Sequence, residues 1–294
     1  MKNVLVYLST YNGEKYLKPL LDSVLAQEGV AVSVFIRDDS SKDRTREILS
    51  EYAKAYDCIS VIFGNNLGYA KSFWKLFQNE NKYDYYAFCD QDDIWLKDKL
   101  ISAVQLLETG GAVDKPLLYT SDVVAVNNNL DVIDERLFKA TGILNFYQSL
   151  QKSIVPGCTF VFNSKAFEVL SRYDGYMESH DWATYCIISA FGEVFFDNSS
   201  YIRYRIHNNN TIGKTGKFKA LLTQIKRLCR RPVRSRSRFA KDFYDCYAEN
   251  LNEEYAAAVK LLGYYRIDKK KTELLCSKRF KGRLFKLMVL LGRV

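Results

Sequence analysis

The sequence lacks any apolar stretch close to the roughly 20 residues that a membrane-spanning helix requires, so no transmembrane segment is predicted. It also lacks a recognisable signal peptide, because the opening residues Met1-Lys2-Asn3-Val4 lead directly into a strand-like segment. Together these two absences favour a cytosolic protein.

Cysteine and histidine are sparse. The 7 cysteines are an odd number, are widely scattered and form no Cys-x-x-Cys pair, so a disulfide framework and a zinc ribbon are both excluded and reduced, mostly buried thiols are expected. The chain has 2 histidines, His180 and His207. Disorder and a coiled-coil rod are excluded because 48% of the 294 residues are hydrophobic and 14% aromatic, enough for one large or two small cores.

Charge divides the chain into two regions. Residues 1–213 contain 21 basic and 27 acidic side chains, a net charge of −6, whereas residues 214–294 contain 22 and 7, a net charge of +15. We therefore predict a globular domain over 1–213 and a basic helical region over 214–294 that meets nucleic acid or a phospholipid surface. Apolar residues interleaved with Lys and Arg fit helices on an anionic membrane, and a solvated hairpin or a dimer interface fits nearly as well.

Short apolar runs alternate with segments of helical periodicity in the first half of the chain. Strands are predicted at Val4–Ser9, Val32–Arg37, Ser60–Phe63 and Tyr85–Cys89, with helices between them. This alternation is typical of an α/β fold whose parallel sheet carries helices on both faces and binds ligands beyond the carboxyl ends of its strands. Later strand candidates at Leu117–Tyr119, Val123–Val126, Thr159–Phe162 and Val194–Phe196 have irregular connections, which suggests a lid or acceptor-binding region.

The strongest candidate site is the segment Asp90-Gln91-Asp92-Asp93, directly after a predicted strand. On an extended backbone, side chains two residues apart point to the same side, so Asp90 and Asp92 are expected to converge while Gln91 faces away. Paired carboxylates suit Mg²⁺ or Mn²⁺ holding a diphosphate. A solvated acidic turn is the alternative, but three carboxylates within four residues repel one another and favour a bound cation.

Polar loops follow two more predicted strands. Arg37-Asp38-Asp39-Ser40-Ser41 offers a carboxylate that can accept from a nucleotide base and serines that can cap the next helix. Ser9-Thr10-Tyr11-Asn12-Gly13 follows the first strand. Three such loops at one sheet edge would surround a nucleotide.

Asp181 is a candidate general base. It lies between His180 and Trp182, just before a predicted helix over Ala183–Phe191. A carboxylate in this setting can accept a proton, and the neighbouring tryptophan could stack on a sugar ring. A purely structural histidine is the alternative interpretation of His180.

Five motifs in this order resemble the family-two, GT-A glycosyltransferases: Val4 to Asn12, Asp38 to Ser41, Asn66-Leu67-Gly68, Asp90 to Asp93, and His180-Asp181-Trp182. The likeness covers residues 1 to about 213. Two segments, Phe88 to Trp95 and Tyr204 to Asn210, are most similar to bacterial rhamnosyltransferases that build cell-wall or capsular polysaccharide. The resemblance implies a Rossmann-like, nucleotide-binding sheet.

The resemblance also implies residue roles. Thr10, Tyr11 and Asp39 would hold the base and ribose, with further donor contacts from Asn12, Asn66, Gly68, Lys71 and Gln91, although Lys71 fits an exposed helix lysine equally well. Asp90 and Asp92 would bind Mn²⁺ or Mg²⁺, Asp92 directly, and His207 would add a ligand or a diphosphate contact. Asp181 would be the general base, and Asp93, Trp95, His180 and Trp182 would contact the acceptor or the sugar.

The implied reaction is an inverting transfer of one sugar, L-rhamnose from dTDP-rhamnose, to a saccharide or lipid-linked acceptor. The Gln-x-x-Arg-Trp motif of processive members is absent. A UDP-hexose donor is the alternative within the same fold. The implied location is cytoplasmic, peripherally bound to the inner face of an anionic membrane, with a homodimer through the C-terminal region as a further contact.

Other functional classes fit less well. A nucleotidyltransferase would carry a Gly-rich loop with Arg and Lys after the first strand, and Ser9 to Gly13 is not such a loop. A nucleic-acid or membrane-binding protein with a degenerate enzyme domain would explain the basic tail, but no helix-turn-helix, zinc or RNA-binding motif supports nucleic acid as the partner. An inactive scaffold would have lost a carboxylate site, and none is missing.

Overall fold

The structure is a computed structural model that describes residues 1–78, 82–138, 144–151, 155–206 and 235–264. By packing, these residues divide into two compact units. Of the described residues, one unit contains those within Met1–Arg172 and Ser179–Arg205, and the other contains Tyr173–Glu178 and those from Ile206 onward. The predicted boundary at residue 213 and most of the basic region lie outside the described residues, so both stay predictions.

The first unit is built on one mixed sheet. Its strands, within the described residues, are β1 (Lys2–Thr10), β2 (Val30–Asp38), β3 (Ile59–Phe63), β4 (Tyr85–Cys89), β5 (Ile94–Trp95), β6 (Leu117–Val126), β7 (Val132–Asp134), β8 (Val161–Asn163) and β9 (Glu193–Arg205). They lie in the order β3-β2-β1-β4-β8-β6-β9-β5, and β7 pairs with β6. Strands β1 to β4 run parallel, β8 is antiparallel to β4 and β6, and β9 is parallel to β6.

Helices connect these strands. The described ones are α1 (Leu17–Leu25), α2 (Thr45–Ala55), α3 (Tyr69–Lys75), α4 (Lys99–Gly110), α5 (Phe146–Gln151), α6 (Ser164–Leu170) and α7 (His180–Phe191), with short 3₁₀ helices at Leu76–Gln78 and Gly157–Thr159. Helix α1 buries one face, formed by Leu17, Leu20, Leu21 and Val24 at helical spacing. Pro19 lies in its first turn, where a missing amide hydrogen costs nothing.

The carboxyl ends of β1, β2 and β4 meet at one edge of the sheet. Thr10 pairs in register with Asp38, and Leu8 pairs with Cys89. The loops that begin at Tyr11, Asp39 and Asp90 therefore lie beside one another. This arrangement confirms the α/β sheet that the alternating pattern predicts.

Two strands are longer than the sequence indicates. The segments Leu117–Tyr119 and Val123–Val126 belong to the single strand β6, and Val194–Phe196 extends to Arg205 as β9. The pairing of β6 with β9 shifts register on both sides of Asp122. A bulge of this kind interrupts the alternation of apolar residues from which strands are predicted.

The second unit contains two helices, α8 (Ser235–Tyr247) and α9 (Glu253–Gly263), which pack against each other. Residues 173–178 pack against α8. The ring of Tyr173 lies 5.6 Å from that of Phe239, and the amide of Tyr176 donates to Asp242 at 2.9 Å. The predicted C-terminal helices are confirmed. Among the described helices, none combines the length and apolarity that crossing a membrane would need. Membrane and dimer contacts stay predictions.

Candidate active site

Asp90 begins the loop after β4, a strand that is buried along its whole length. The chain turns at Gln91 and Asp92, and β5 then begins at Ile94 and pairs with β9. The turn replaces the extended backbone expected from the sequence, so strand geometry does not make Asp90 and Asp92 converge. The role of Asp92 as a metal ligand stays a prediction.

Asp90, Asp93 and Cys158 form a cluster. One potential ligand atom from each residue lies within 4.8 Å of the other two. Asp90 is half-buried, while Asp93 and Cys158 are only 0% and 2% exposed. Sequence analysis missed Cys158, because a cysteine far along the chain from its neighbours carries no spacing pattern.

Burial and neighbouring charge make Asp90 and Asp93 hard to ionise. Burial, followed by the negative charges of Asp92 and Asp181, raises the pKa of Asp90 to about 7. Burial also raises the pKa of Asp93 well above its usual range, helped by the charges of Asp92 and Asp90. A cation beside these groups would offset both effects.

A buried lysine lies behind the acidic segment. Lys99, the first residue of α4, is 1% exposed, and its Nζ lies 3.7 Å from the centroid of the Trp95 ring. Within the described residues this Nζ has no hydrogen-bond partner. Burial lowers the pKa of Lys99 to about 8, although the nearby Cys89, Cys158 and Asp93 oppose the shift. Sequence analysis did not identify Lys99.

Asp181 lies in the first turn of α7, where its Oδ1 accepts a hydrogen bond from the Trp182 amide at 2.8 Å. Gly157 packs directly against it. A Cβ added at Gly157 would lie 2.5 Å from the Asp181 Cβ, a separation that packed atoms do not reach. Gly157 adjoins Cys158, so one 3₁₀ turn contacts both Asp181 and the acidic cluster. Part of the packing around Asp181 therefore comes from Gly157, a residue that no sequence motif marked.

The loop after β2 is held by buried polar contacts. Asp39 is 2% exposed, forms an ion pair with Arg37 and accepts the backbone amides of Leu67 and Gly68 at 2.8 and 2.9 Å. The Asn66 side-chain amide donates to the Asp39 carbonyl at 2.9 Å. Asp39 therefore joins the loop after β2 to the loop before α3.

The loop after β1 is tied to the acidic turn by Gln91. Its Oε1 accepts the Tyr11 amide at 2.8 Å, and its Nε2 donates to the Tyr11 carbonyl at 3.1 Å. A Cβ at Gly13 would lie 2.5 Å from the Gln91 Oε1, so glycine permits this close approach. The Asn12 side chain accepts the Lys42 amide at 2.8 Å, which links this loop to the one after β2.

The predicted donor-binding residues differ in accessibility. Exposed side chains or backbone at this edge belong to Tyr11, Asn12, Asn66, Gly68 and Lys71. Thr10 is 0% exposed and its hydroxyl donates to Asp38 at 3.3 Å. His207 lies outside the described residues.

A family model for glycosyl transferase family 2 matches residues 5–171, more than half of the chain. The chain belongs to glycosyltransferase family 2. A curated relative, dTDP-rhamnosyl transferase RfbG of Shigella flexneri, is 31% identical over 228 residues, which cover 72% of this chain and 76% of the relative. The putative teichuronic acid biosynthesis glycosyltransferase TuaG of Bacillus subtilis is 27% identical over 210 residues, 70% of this chain and 80% of the relative.

A solved structure shares the fold of this glycosyltransferase. S. aureus TarS 1-349 in complex with UDP-GlcNAc aligns with a TM-score of 0.58 at 14% identity, and the match covers 100% of this chain and 87% of that one. The match supports the GT-A architecture that the sequence motifs imply.

Four residues that the family resemblance assigned to acceptor or sugar contacts are buried in this glycosyltransferase. Asp93 and Trp95 are 0% and 3% exposed, and His180 and Trp182 are 5% and 2% exposed. The Trp182 Nε1 donates to the Ser149 carbonyl at 2.7 Å, which holds the indole against α5. The predicted stacking of Trp182 on a sugar ring does not agree with this position. The exposed aromatic side chain on this side is Tyr69, 60% exposed and 6.2 Å from His180 between ring centroids.

His180 is a packing residue. Its ring stacks on Phe73 at 3.9 Å, and neither ring nitrogen has a hydrogen-bond partner among the described residues. Burial lowers the pKa of His180 from 6.5 to about 4, although the Asp181 charge opposes the shift. The imidazole therefore stays neutral at physiological pH, and the structural interpretation of His180 fits better than a sugar contact.

Replacing His180 with phenylalanine should reduce the decrease in the free energy of unfolding at acid pH. Between pH 6.5 and 4 the unfolded chain binds a proton at His180 that the folded chain excludes, so stability present above pH 6.5 is lost as pH falls. The full shift corresponds to about 3 kcal/mol. Urea unfolding at pH 7 and pH 4 should show that much less acid destabilisation in His180→Phe than in the wild type. Equal acid destabilisation would contradict the buried neutral imidazole.

Replacing Gly157 with alanine should displace Asp181. We expect kcat to fall by about 10- to 100-fold, since misplacing a reacting group by about 1 Å can have that effect. The donor KM should change less than kcat, because the close contact of Gly157 is with Asp181, the candidate base. Steady-state kinetics measures kcat and the donor KM separately, and a thermal melt shows whether the variant is folded. A folded variant with unchanged kcat would mean that the position of Asp181 is not set by this contact.

Proposed function

We propose that this family-2 glycosyltransferase transfers L-rhamnose from dTDP-rhamnose to a saccharide acceptor, with inversion at the anomeric carbon. The observation that carries the proposal is the 3₁₀ turn Gly157–Thr159, in which Gly157 packs against Asp181 and the adjoining Cys158 lies in the cluster with Asp90. A proton acceptor and an acidic segment within one site are what an inverting displacement with a diphosphate leaving group requires.

The general base in this proposal is Asp181. Its carboxylate would take the proton from the acceptor hydroxyl as the new glycosidic bond forms. The hydrogen bond from the Trp182 amide orients the carboxyl group, and packing against Gly157 limits its movement. Tyr69, exposed beside His180, is the aromatic group available to the acceptor sugar.

The donor would bind along the three loops at the sheet edge. Tyr11 and Asn12 are exposed there, and the loop of Asn66 and Gly68 is held in place by Asp39. Thr10 and Asp39 are buried, so we expect them to act mainly by shaping the base pocket. Lys71 is exposed on α3 and is a candidate phosphate contact.

The acidic segment fits a divalent cation, Mg²⁺ or Mn²⁺. Carboxylate oxygens are the ligands these ions prefer, and a cation would offset the burial and the neighbouring charges that raise the pKa of Asp90. Asp90 and Asp92 would hold the ion, and His207 is a further candidate. When bound, the cation supplies charge that stabilises the departing diphosphate.

The donor assignment rests on the relative named dTDP-rhamnosyl transferase, which is 31% identical over 72% of this chain. It is tested with the full chain, Mg²⁺ or Mn²⁺ and a panel of nucleotide sugars, by calorimetry and by release of nucleoside diphosphate. We expect binding and turnover with dTDP-rhamnose and not with UDP-hexoses. Preference for a UDP-hexose would overturn the donor, and no binding of any nucleotide sugar would overturn the proposed function. A lipid-linked acceptor and attachment to an anionic membrane remain part of the proposal.

A further inference from the structure

The cluster of Asp90, Asp93 and Cys158 contains a sulfur ligand that a magnesium site does not need. We propose that these three side chains bind a thiophilic divalent cation, represented by Zn²⁺, and that this binding inhibits sugar transfer. The pair of carboxylates assigned above to the activating cation, Asp90 and Asp92, does not include Cys158.

The spacing of the three groups suits zinc. One ligand atom from each lies within 4.8 Å of the other two. Tetrahedral zinc with bonds of about 2.0–2.3 Å holds its ligand atoms roughly 3–4 Å apart, so small side-chain rotations close the site. Asp90 is half-buried, which leaves a path for the ion and a fourth position for water or a phosphate oxygen.

A separate observation on Asp93 points to a cation. The side chain is 0% exposed, and its Oδ1 accepts the Arg205 amide at 3.2 Å. Its Oδ2 has no hydrogen-bond partner among the described residues, which leaves this buried oxygen for an ion. A buried acceptor without a partner is costly, and a metal bond would remove that cost.

The thiol determines which metal is preferred. Sulfur ligands select zinc and other soft ions, whereas Mg²⁺ and Mn²⁺ prefer oxygen. Binding would release the thiol proton of Cys158, as metal binding to cysteine generally does. Inhibition rests on the proposed function, because Asp90 is one of the two carboxylates assigned there to the activating cation, and zinc would compete for it.

Metal binding is tested first, without any assay of transfer. Metal-free full-length chain is titrated with Zn²⁺ by calorimetry, and with Co²⁺ while the sulfur-to-cobalt charge-transfer absorption is recorded. We expect Cys158→Ser to weaken Zn²⁺ binding by about 100-fold or more and to lose the cobalt band. Cys58→Ser removes a more exposed thiol and should behave as the wild type.

A second variant distinguishes loss of the metal site from misfolding. Asp93→Asn keeps the shape of the side chain and an oxygen for the Arg205 amide, and it should weaken Zn²⁺ binding while every thiol remains. Thermal melts establish that both variants fold. Unchanged Zn²⁺ affinity in folded Cys158→Ser, or no cobalt–thiolate band in the wild type, would overturn the site. That result would indicate that the buried ammonium of Lys99 already serves the cluster as its cation.

Inhibition is then measured in Mg²⁺ at increasing Zn²⁺, each protein compared with its own rate without zinc. We expect the half-inhibiting Zn²⁺ concentration to rise at least about tenfold in Cys158→Ser and to stay unchanged in Cys58→Ser. Zinc binding without inhibition would overturn the claim that zinc inhibits sugar transfer. Absence of transfer in Mg²⁺ alone would instead count against the proposed function, and the binding experiments would still stand.

Discussion

Replacing Asp181 with asparagine should abolish sugar transfer while leaving donor binding measurable. The amide cannot take the proton of the acceptor hydroxyl, yet it has the same size and retains an oxygen that can accept the Trp182 amide. General base catalysis typically contributes about 10²- to 10⁴-fold, so kcat should fall by at least that amount. Calorimetry with the donor nucleotide in Mg²⁺ should give an affinity within a few-fold of the wild type.

The matched control is Asp57→Asn, which changes an exposed carboxyl group in the turn before β3. It removes the same charge and should leave kcat unchanged. A folded Asp181→Asn variant with near-normal turnover would refute the assignment of the base. Loss of nucleotide binding together with turnover would show that Asp181 serves the donor instead.

Replacing Asp39 with alanine should produce the largest loss of stability among single changes at this edge. Asp39 and Arg37 form an ion pair whose side chains are only 3% and 6% exposed. Removing the carboxylate leaves the Arg37 guanidinium buried without its ionic partner, which typically costs about 3–5 kcal/mol. Chemical denaturation at neutral pH should show this as a lower midpoint with a similar slope.

The loss should extend to the nucleotide site. Without the Asp39 carboxylate, the amides of Leu67 and Gly68 lose their acceptor, so the loop before α3 loosens and nucleotide affinity falls. Glu47→Ala is the control, since it breaks an exposed pair with Arg44 whose side chains are 67% and 70% exposed. That change should cost less than about 1 kcal/mol. Equal stability losses in the two variants would contradict the buried role of Asp39.

The sequence predicts the grouping of the loops at this sheet edge well because the determinants of the strands are local. Strands β1 to β4 are short apolar runs, and parallel strands necessarily bring their carboxyl ends to one edge. The loops at Tyr11, Asp39 and Asp90 could therefore be grouped before any coordinates. The membership of glycosyltransferase family 2 followed from the same motifs.

The surroundings of Asp181 are harder to predict because burial there depends on contacts distant in sequence. The buried indole of Trp182 donates a hydrogen bond to the Ser149 carbonyl in α5, and no local sequence pattern predicts that bond. Gly157 and Cys158 enter the site through a 3₁₀ turn that ends at Thr159, the first residue of the predicted strand Thr159–Phe162, and no sequence pattern marks that turn. The turn at Gln91 and Asp92 is likewise not predicted when the backbone after β4 is assumed to be extended.

The two hydrogen bonds between Gln91 and Tyr11 have a mechanical consequence. They fix the loop after β1 to the acidic turn after β4, and the absence of a side chain at Gly13 permits this close approach. Neither loop can open without breaking both bonds or carrying the other with it. A nucleotide that contacts the loop after β1 would therefore find the acidic turn after β4 already in position.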